Sequence, residues 1–188
     1  MYEADRISDT PAAQAALAAV RAGAGVGPDG PMERHCLRQF RIAERLAGDE
    51  PVDRELLLCA CWLHDAGLYT DSKDAYVTEA ARLAGSVLAP FDWAPERLRR
   101  CMDACEQHHA PTSRRSMGLE VELVRRSDLV DVSRGLVTFG LDRAWLRTLF
   151  AEVPRDGLYR MLAKAVGGEL RARPASLVDV FVRPGKRA

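Results

Sequence analysis

Eight consecutive apolar residues, Leu56 to Leu63, run directly into the doublet His64-Asp65. The run is too short to cross a bilayer, which takes about 20 residues as a helix. It reads as a helix apolar all round, and such a helix belongs at the centre of a domain, not on its surface. The doublet at its end sets a second condition. A carboxylate buried there is costly unless it is paired or coordinates a metal. The fold must therefore wrap other elements around this segment and give His64 and Asp65 partners.

Those other elements read as helices. Ala, Leu and Arg dominate a chain of 188 residues with only 6% aromatic residues, which favours helix over strand and leaves room for one domain with a sizeable core. Residues 1–31 look like a peripheral extension: a short Ala-rich helix capped near Asp9-Thr10-Pro11 and ending near Arg21, then a glycine- and proline-rich flexible loop from Gly23 to Pro31. A helix is expected from Met32 to Ala47, stopped by Gly48. The central helix begins near Asp53, with Asp53 and Glu55 suiting an N-terminus, and ends around Gly67. Further helices are expected over 75–88, from Pro95 to His108 or His109, over 119–134, over 142–151 and over 156–166; residues 111–118 form a polar, basic loop. Residues 177–182 read equally as a strand or a last helical turn.

The chain has four histidines, His35, His64, His108 and His109, and together with Asp65 and Asp128 they recur on these helical segments. Imidazole and carboxylate are the ligands that a divalent ion in a hydrolase needs. Neighbours on a helix point about 100° apart, so His64 and Asp65 could both reach one ion near the helix end, where the small Ala66-Gly67 leaves room. Asp131, one turn after Asp128, either supports a ligand or faces solvent. Arg38, one turn after His35, either faces the pocket, where its fork of donors could hold a phosphate, or is a surface arginine. Arg125 and Arg126 read chiefly as solvated or ion-paired, Arg114 and Arg115, in the loop beside the histidine pair, could gate or recognise an anion, and Trp62 reads as core. Cys101 and Cys105 share a helix face, but the simpler reading of the five cysteines is small buried hydrophobes. Their odd number and the charged first ten residues speak against a secreted disulfide scaffold, so a cytoplasmic location is expected. Lys plus Arg equals Asp plus Glu at 27 each, which disfavours nucleic acid as a partner.

The motifs His35-Cys-Leu-Arg38, Leu63-His64-Asp65-Ala-Gly-Leu68, Glu106-Gln-His108-His109 and Ser127-Asp128-Leu-Val-Asp131 together resemble the HD-domain superfamily of metal-dependent phosphohydrolases, over about residues 32–138. The resemblance implies an all-α helical bundle around a buried metal site, with residues 142–188 supplying C-terminal helices. It implies His35, His64, Asp65 and Asp128 as ligands of one divalent ion: Mn, Fe, Co, Ni, Zn or Mg. Two branches of the superfamily fit less well. No glutamate or lysine follows the doublet, which disfavours the guanosine-tetraphosphate hydrolases. The histidines are too few and too close together for the binuclear cyclic-dinucleotide enzymes.

A hydrolase of a nucleotide or other small phosphate ester is then expected, acting through a metal-activated water. Asp65 would orient the water or accept its proton. His108 would serve as general acid, with Arg38 and His109 contacting the substrate. A hydratase of the cyanamide-hydratase type, which adds water to a small nitrile-like substrate, is the alternative; a non-catalytic, metal-stabilised helical module is a third reading. Partners are expected to be small phosphorylated molecules and no membrane, with a homo-oligomer left open.

Overall fold

In the computed structural model, which describes residues 3–24, 28–70 and 74–172, the apolar segment is helix α4 (Arg54–Leu63), and every residue from Leu56 to Leu63 is buried. Its start is fixed electrostatically. Asp53 accepts the Leu56 N–H at 3.1 Å, filling one of the donors that a helix N-terminus leaves free. Arg97 of α6 (Pro95–Gln107) then grips Asp53 at 2.5 and 2.8 Å and Glu55 at 2.7 Å, while its guanidinium stacks 3.8 Å above Trp93.

Helices surround α4. It packs against α2 (Pro11–Ala24), α3 (Pro31–Ala47), α5 (Tyr76–Leu88), α6 and α7 (Leu119–Val132); α3 also packs on α7, and α5 on α6. Short α1 (Glu3–Ile7), α8 (Arg143–Glu152) and α9 (Leu158–Ala172) complete the described helices, and no strand occurs among the described residues. The fold is thus the expected all-α bundle. No helix among the described residues is long and apolar enough to cross a membrane.

Three expectations are corrected. The N-terminal extension is not peripheral: α2 buries Ala12, Ala13, Ala16, Leu17 and Val20 in the same core cluster as α3 to α7, and Trp62 Nε1 donates to Ser8 Oγ at 3.2 Å. Alanines let α2 approach α4 closely, so an Ala-rich stretch that looks low in information is an interface. The helix expected over 156–166 begins at Leu158 and runs to Ala172. The central helix stops at Leu63, four residues before Gly67. Residues 177–182 lie outside the described residues.

The early stop of α4 shapes the doublet. His64 keeps helical angles and donates its backbone N–H to Ala60 O at 2.9 Å, but Asp65 leaves the helix at φ −105°, ψ 3°. A 3-10 turn over Ala66–Tyr69 follows and lies against α5. Gly67 makes that approach feasible. A Cβ there would sit 1.9 Å from Tyr76 O and 2.7 Å from Ala80 N, both backbone atoms that cannot rotate away. Gly67→Ala should therefore cost at least about 1–3 kcal/mol, the usual cost of overpacking, in urea denaturation. Gly167→Ala inside α9, where nothing lies within 4 Å of the new methyl, should instead stabilise the protein by about 0.5–1 kcal/mol through helix propensity.

Candidate metal centre

Four helices meet around the doublet. Helix α3 brings His35, the end of α4 brings His64 and Asp65, the end of α6 brings His108, and α7 brings Asp128. All five residues are buried. His35 Nε2 lies 3.2 Å from His64 Nε2, 3.4 Å from Asp128 Oδ1 and 3.9 Å from Asp65 Oδ2. His64 Nε2 lies 3.4 Å from Asp65 Oδ2 and 3.8 Å from Asp128 Oδ1. On the far side of Asp65, Oδ1 lies 3.4 Å from His108 Nε2.

The helix ends decide which ring nitrogens carry hydrogen. His64 Nδ1 is 2.9 Å from the carbonyl of Cys61, and His108 Nδ1 is 2.7 Å from the carbonyl of Cys105. Carbonyls in the last turn of a helix lack an intrahelical N–H. Each histidine sits at the C-cap of its helix, so its Nδ1–H supplies the missing donor. A neutral imidazole carries one N–H. With that hydrogen on Nδ1, both Nε2 atoms present lone pairs to the carboxylates of Asp65 and Asp128.

A cluster of acceptors without a donor between them is repulsive unless a cation or protons fill it. Asp65 Oδ1 and His108 Nε2 are buried and have no hydrogen-bond partner. Ligand atoms from His35, His64 and Asp128 lie within 4.8 Å of one another, as do those from His64, Asp65 and His108, and those from His108, His109 and Asp128. The donor set, imidazole nitrogens with carboxylate oxygens, suits a divalent transition metal. The residues present fit such an ion.

The electrostatics agree. Burial alone would push the His35 imidazole down, but the carboxylates of Asp128 and Asp131 outweigh it and raise it to about 10. Burial likewise opposes the charge on His108, yet Asp65 raises it. Asp65 is itself held well below its ordinary range against the cost of burial, chiefly by His64 and His108. Asp128 is lowered against burial by His35 and His109. In the absence of a cation, a proton on His35 offsets part of this negative charge, and an incoming ion must displace it.

The sequence-derived site residues fall into two groups. His35, His64, Asp65, Asp128 and His108 are brought together. His109 lies beside them with its side chain 21% exposed, against 0% for His108. Its Nε2 is 2.5 Å from Tyr76 Oη and its Nδ1 is 3.6 Å from Asp128 Oδ2. Burial and the neighbouring His108 charge push its imidazole down to about 4. Arg38 is a correction. It is fully buried and faces neither pocket nor solvent; its Nε and Nη2 grip Asp131 at 2.8 and 2.9 Å, and its Nη1 donates to the carbonyls of Val153 and Pro154 at 3.2 and 3.0 Å. Four of its five N–H groups are engaged within the core, and its complete burial keeps it from a substrate phosphate. Tyr76 and Arg155 were not anticipated: a tyrosine at the start of a helix and an arginine in an arginine-rich tail carry no spacing signal. The open question over Asp131 is answered by its complete burial.

Comparison with known families agrees with this geometry. A family model of the HD domain matches residues 32–133. No curated protein matches the chain.

Beside the cluster, the loop that follows His109 is pinned to α7. Arg125 Nη1 lies 3.5 Å from the carbonyl of Ala110, and its Nε and Nη2 donate to Glu122 at 3.0 and 2.8 Å. Glu122 also accepts from the Arg114 backbone N–H at 2.6 Å and from Arg126 Nε at 2.7 Å. Burial would raise the Glu122 carboxyl, but Arg125, the Arg114 N–H and Arg126 pull it down to about 2. Its folded pKa lies below the ordinary glutamate value, so its contribution to stability is present above about pH 4.3 and fades as the pH falls towards the lowered value. Glu122→Gln should cost about 2 kcal/mol near neutral pH, and urea titrations should show this gap closing in acid.

Proposed function

Because this chain belongs to the HD-domain family, over residues 32–133, we propose that it is a metal-dependent phosphohydrolase acting on a small phosphate ester, a nucleotide among them. One observation carries this reading: ring nitrogens of His35, His64 and His108 converge with carboxylate oxygens of Asp65 and Asp128 in one buried cluster. His35, His64, Asp65 and Asp128 would hold one divalent ion. Bound there, the ion would polarise a phosphoryl oxygen and make water a better nucleophile near neutral pH.

The chain's own residues supply the rest. Asp65 turns Oδ2 towards His35 and His64 and Oδ1 towards His108. One carboxylate can thus face the ion with one oxygen and exchange a proton with His108 Nε2 through the other. The two facing atoms are 3.4 Å apart and buried, so a proton held between them is shielded from solvent. His108 acts on the leaving oxygen as general acid, and the Cys105 carbonyl keeps its ring turned inward. His109, the most exposed of the four histidines, faces the substrate, held by Tyr76. Arg38 has no part in binding substrate. The cytoplasmic location and the phosphorylated partner belong to this same reading.

Metal analysis of protein purified without chelator, with a panel of phosphate esters and a parallel panel of nitriles, tests the proposal. About one divalent ion per chain is expected, with hydrolysis of a phosphate ester that His64→Ala abolishes together with the bound ion. Loading the metal-free protein near neutral pH should release protons, and affinity should fall as the pH is lowered, because protons compete for the same nitrogens. Turnover of a nitrile with no ester hydrolysis would move the chain to the hydratase reading. Absence of any ion, with His64→Ala unchanged in folding and activity, would end the metal proposal altogether.

A further inference from the structure

His35 differs from the other two inward-facing histidines in how its ring is held. His64 and His108 sit at helix ends and give Nδ1–H to carbonyls that the helix leaves free. His35 lies inside α3 (Pro31–Ala47), where the carbonyls of the preceding turn belong to the helix itself. An acceptor for its Nδ1 must come from another element. It comes from α7: Asp131 Oδ2 is 2.7 Å from His35 Nδ1.

Asp131 is held so that it can only accept. It is completely buried. Arg38 Nε donates to Oδ1 at 2.8 Å and Arg38 Nη2 to Oδ2 at 2.9 Å, and Arg155 Nη2 donates to Oδ1 at 3.1 Å. Arginine has donors and no acceptors. Two guanidinium groups therefore keep Asp131 ionised, and the ring nitrogen that faces it must carry the hydrogen. The grip extends past the segment that matches the family. Arg155, with the carbonyls of Val153 and Pro154 that receive Arg38 Nη1, belongs to the linker between α8 and α9.

We propose that Asp131 is a positioning residue for the cation site: it locks His35 in the tautomer with hydrogen on Nδ1 and so keeps the Nε2 lone pair turned towards His64 and Asp128. The inference rests on the metal-binding reading above. Asparagine at 131 cannot serve as well. Its one amide oxygen cannot accept from both His35 and the Arg38 fork in place of two carboxylate oxygens, and its NH2 group would face a donor or drive the hydrogen of His35 onto Nε2.

Two variants separate this role from a merely structural one, because both break the same buried ion pair. Asp131→Asn removes the carboxylate that faces His35, whereas Arg38→Met removes the arginine and leaves that carboxylate in place. Cobalt(II), titrated into metal-free protein well below the melting temperature of each variant, is the probe. Asp131→Asn is expected to bind cobalt about 10–100-fold more weakly, and Arg38→Met to stay within about threefold of the parent, although both melt lower. Nitrogen NMR of the metal-free parent, followed to a pH above about 10 where His35 gives up its second proton, should leave the remaining hydrogen on Nδ1, and should show it on Nε2 or shared in Asp131→Asn. Equal losses of cobalt affinity in the two variants, or none in either, would overturn the proposal. So would a neutral parent His35 whose single hydrogen sits on Nε2, a result that stands even if Asp131→Asn does not fold. A parent protein that binds no cobalt refutes the metal-binding reading instead, and the NMR result still decides what Asp131 does.

Discussion

The structure depends on a convergence of acceptors. Nε2 atoms of His35, His64 and His108 and the carboxylates of Asp65 and Asp128 point into one small volume, deep inside the bundle. Buried there, they are screened from one another far less than surface charges are. Such an arrangement survives folding only because protons neutralise it, as the raised His35 and His108 show, or because a cation does. Protons are the weaker solution, since each saves one acceptor, whereas a divalent ion satisfies several at once. The surrounding fold can be read as the means of holding these groups together against their own repulsion.

Helix termini do much of that holding. Helices α4 and α6 both end at the cluster, and in each the C-cap residue is a histidine whose Nδ1–H satisfies a carbonyl of the last turn. One hydrogen bond thereby closes the helix and sets the tautomer of a ligand. The apolar run of α4 adds to this in two ways. It fixes the helix in the core, and it lowers the local dielectric, which strengthens each electrostatic interaction in the cluster. A polar helix in its place would leave His64 wet and free to rotate.

Much of this was legible in the sequence, and the parts that were not share a cause. The all-α fold, most helix positions and the grouping of histidines with Asp65 and Asp128 follow from periodicity and from residues that are costly to bury alone. Gly67 was legible only as a small residue. Its need to be glycine arises from the backbone of α5, which contacts it from nine residues along the chain at Tyr76. Arg38 sits one turn from His35, and that spacing cannot tell a guanidinium aimed at substrate from one aimed at Asp131. The deciding atoms, the Asp131 carboxylate and two carbonyls of the α8–α9 linker, lie 93 to 116 residues away in sequence. The role of α2 was hidden for a related reason: an alanine face carries little hydrophobic signal, yet small side chains are what let two helices approach closely.

The adjacent histidines show how one residue of displacement divides two tasks. His108 and His109 have ring centroids only 4.1 Å apart, so two positive charges there would repel strongly. The protein resolves this by contrast of environment. His108 faces Asp65 and is raised; His109 is held by Tyr76 and pushed down to about 4 by burial and by its neighbour. His108 thus holds a proton more readily beside the carboxylates, while His109 is neutral at neutral pH at the more exposed edge. A doublet that looks redundant in the sequence is therefore an asymmetric pair, with the more basic member turned to the buried carboxylates and the less basic member at the more exposed edge.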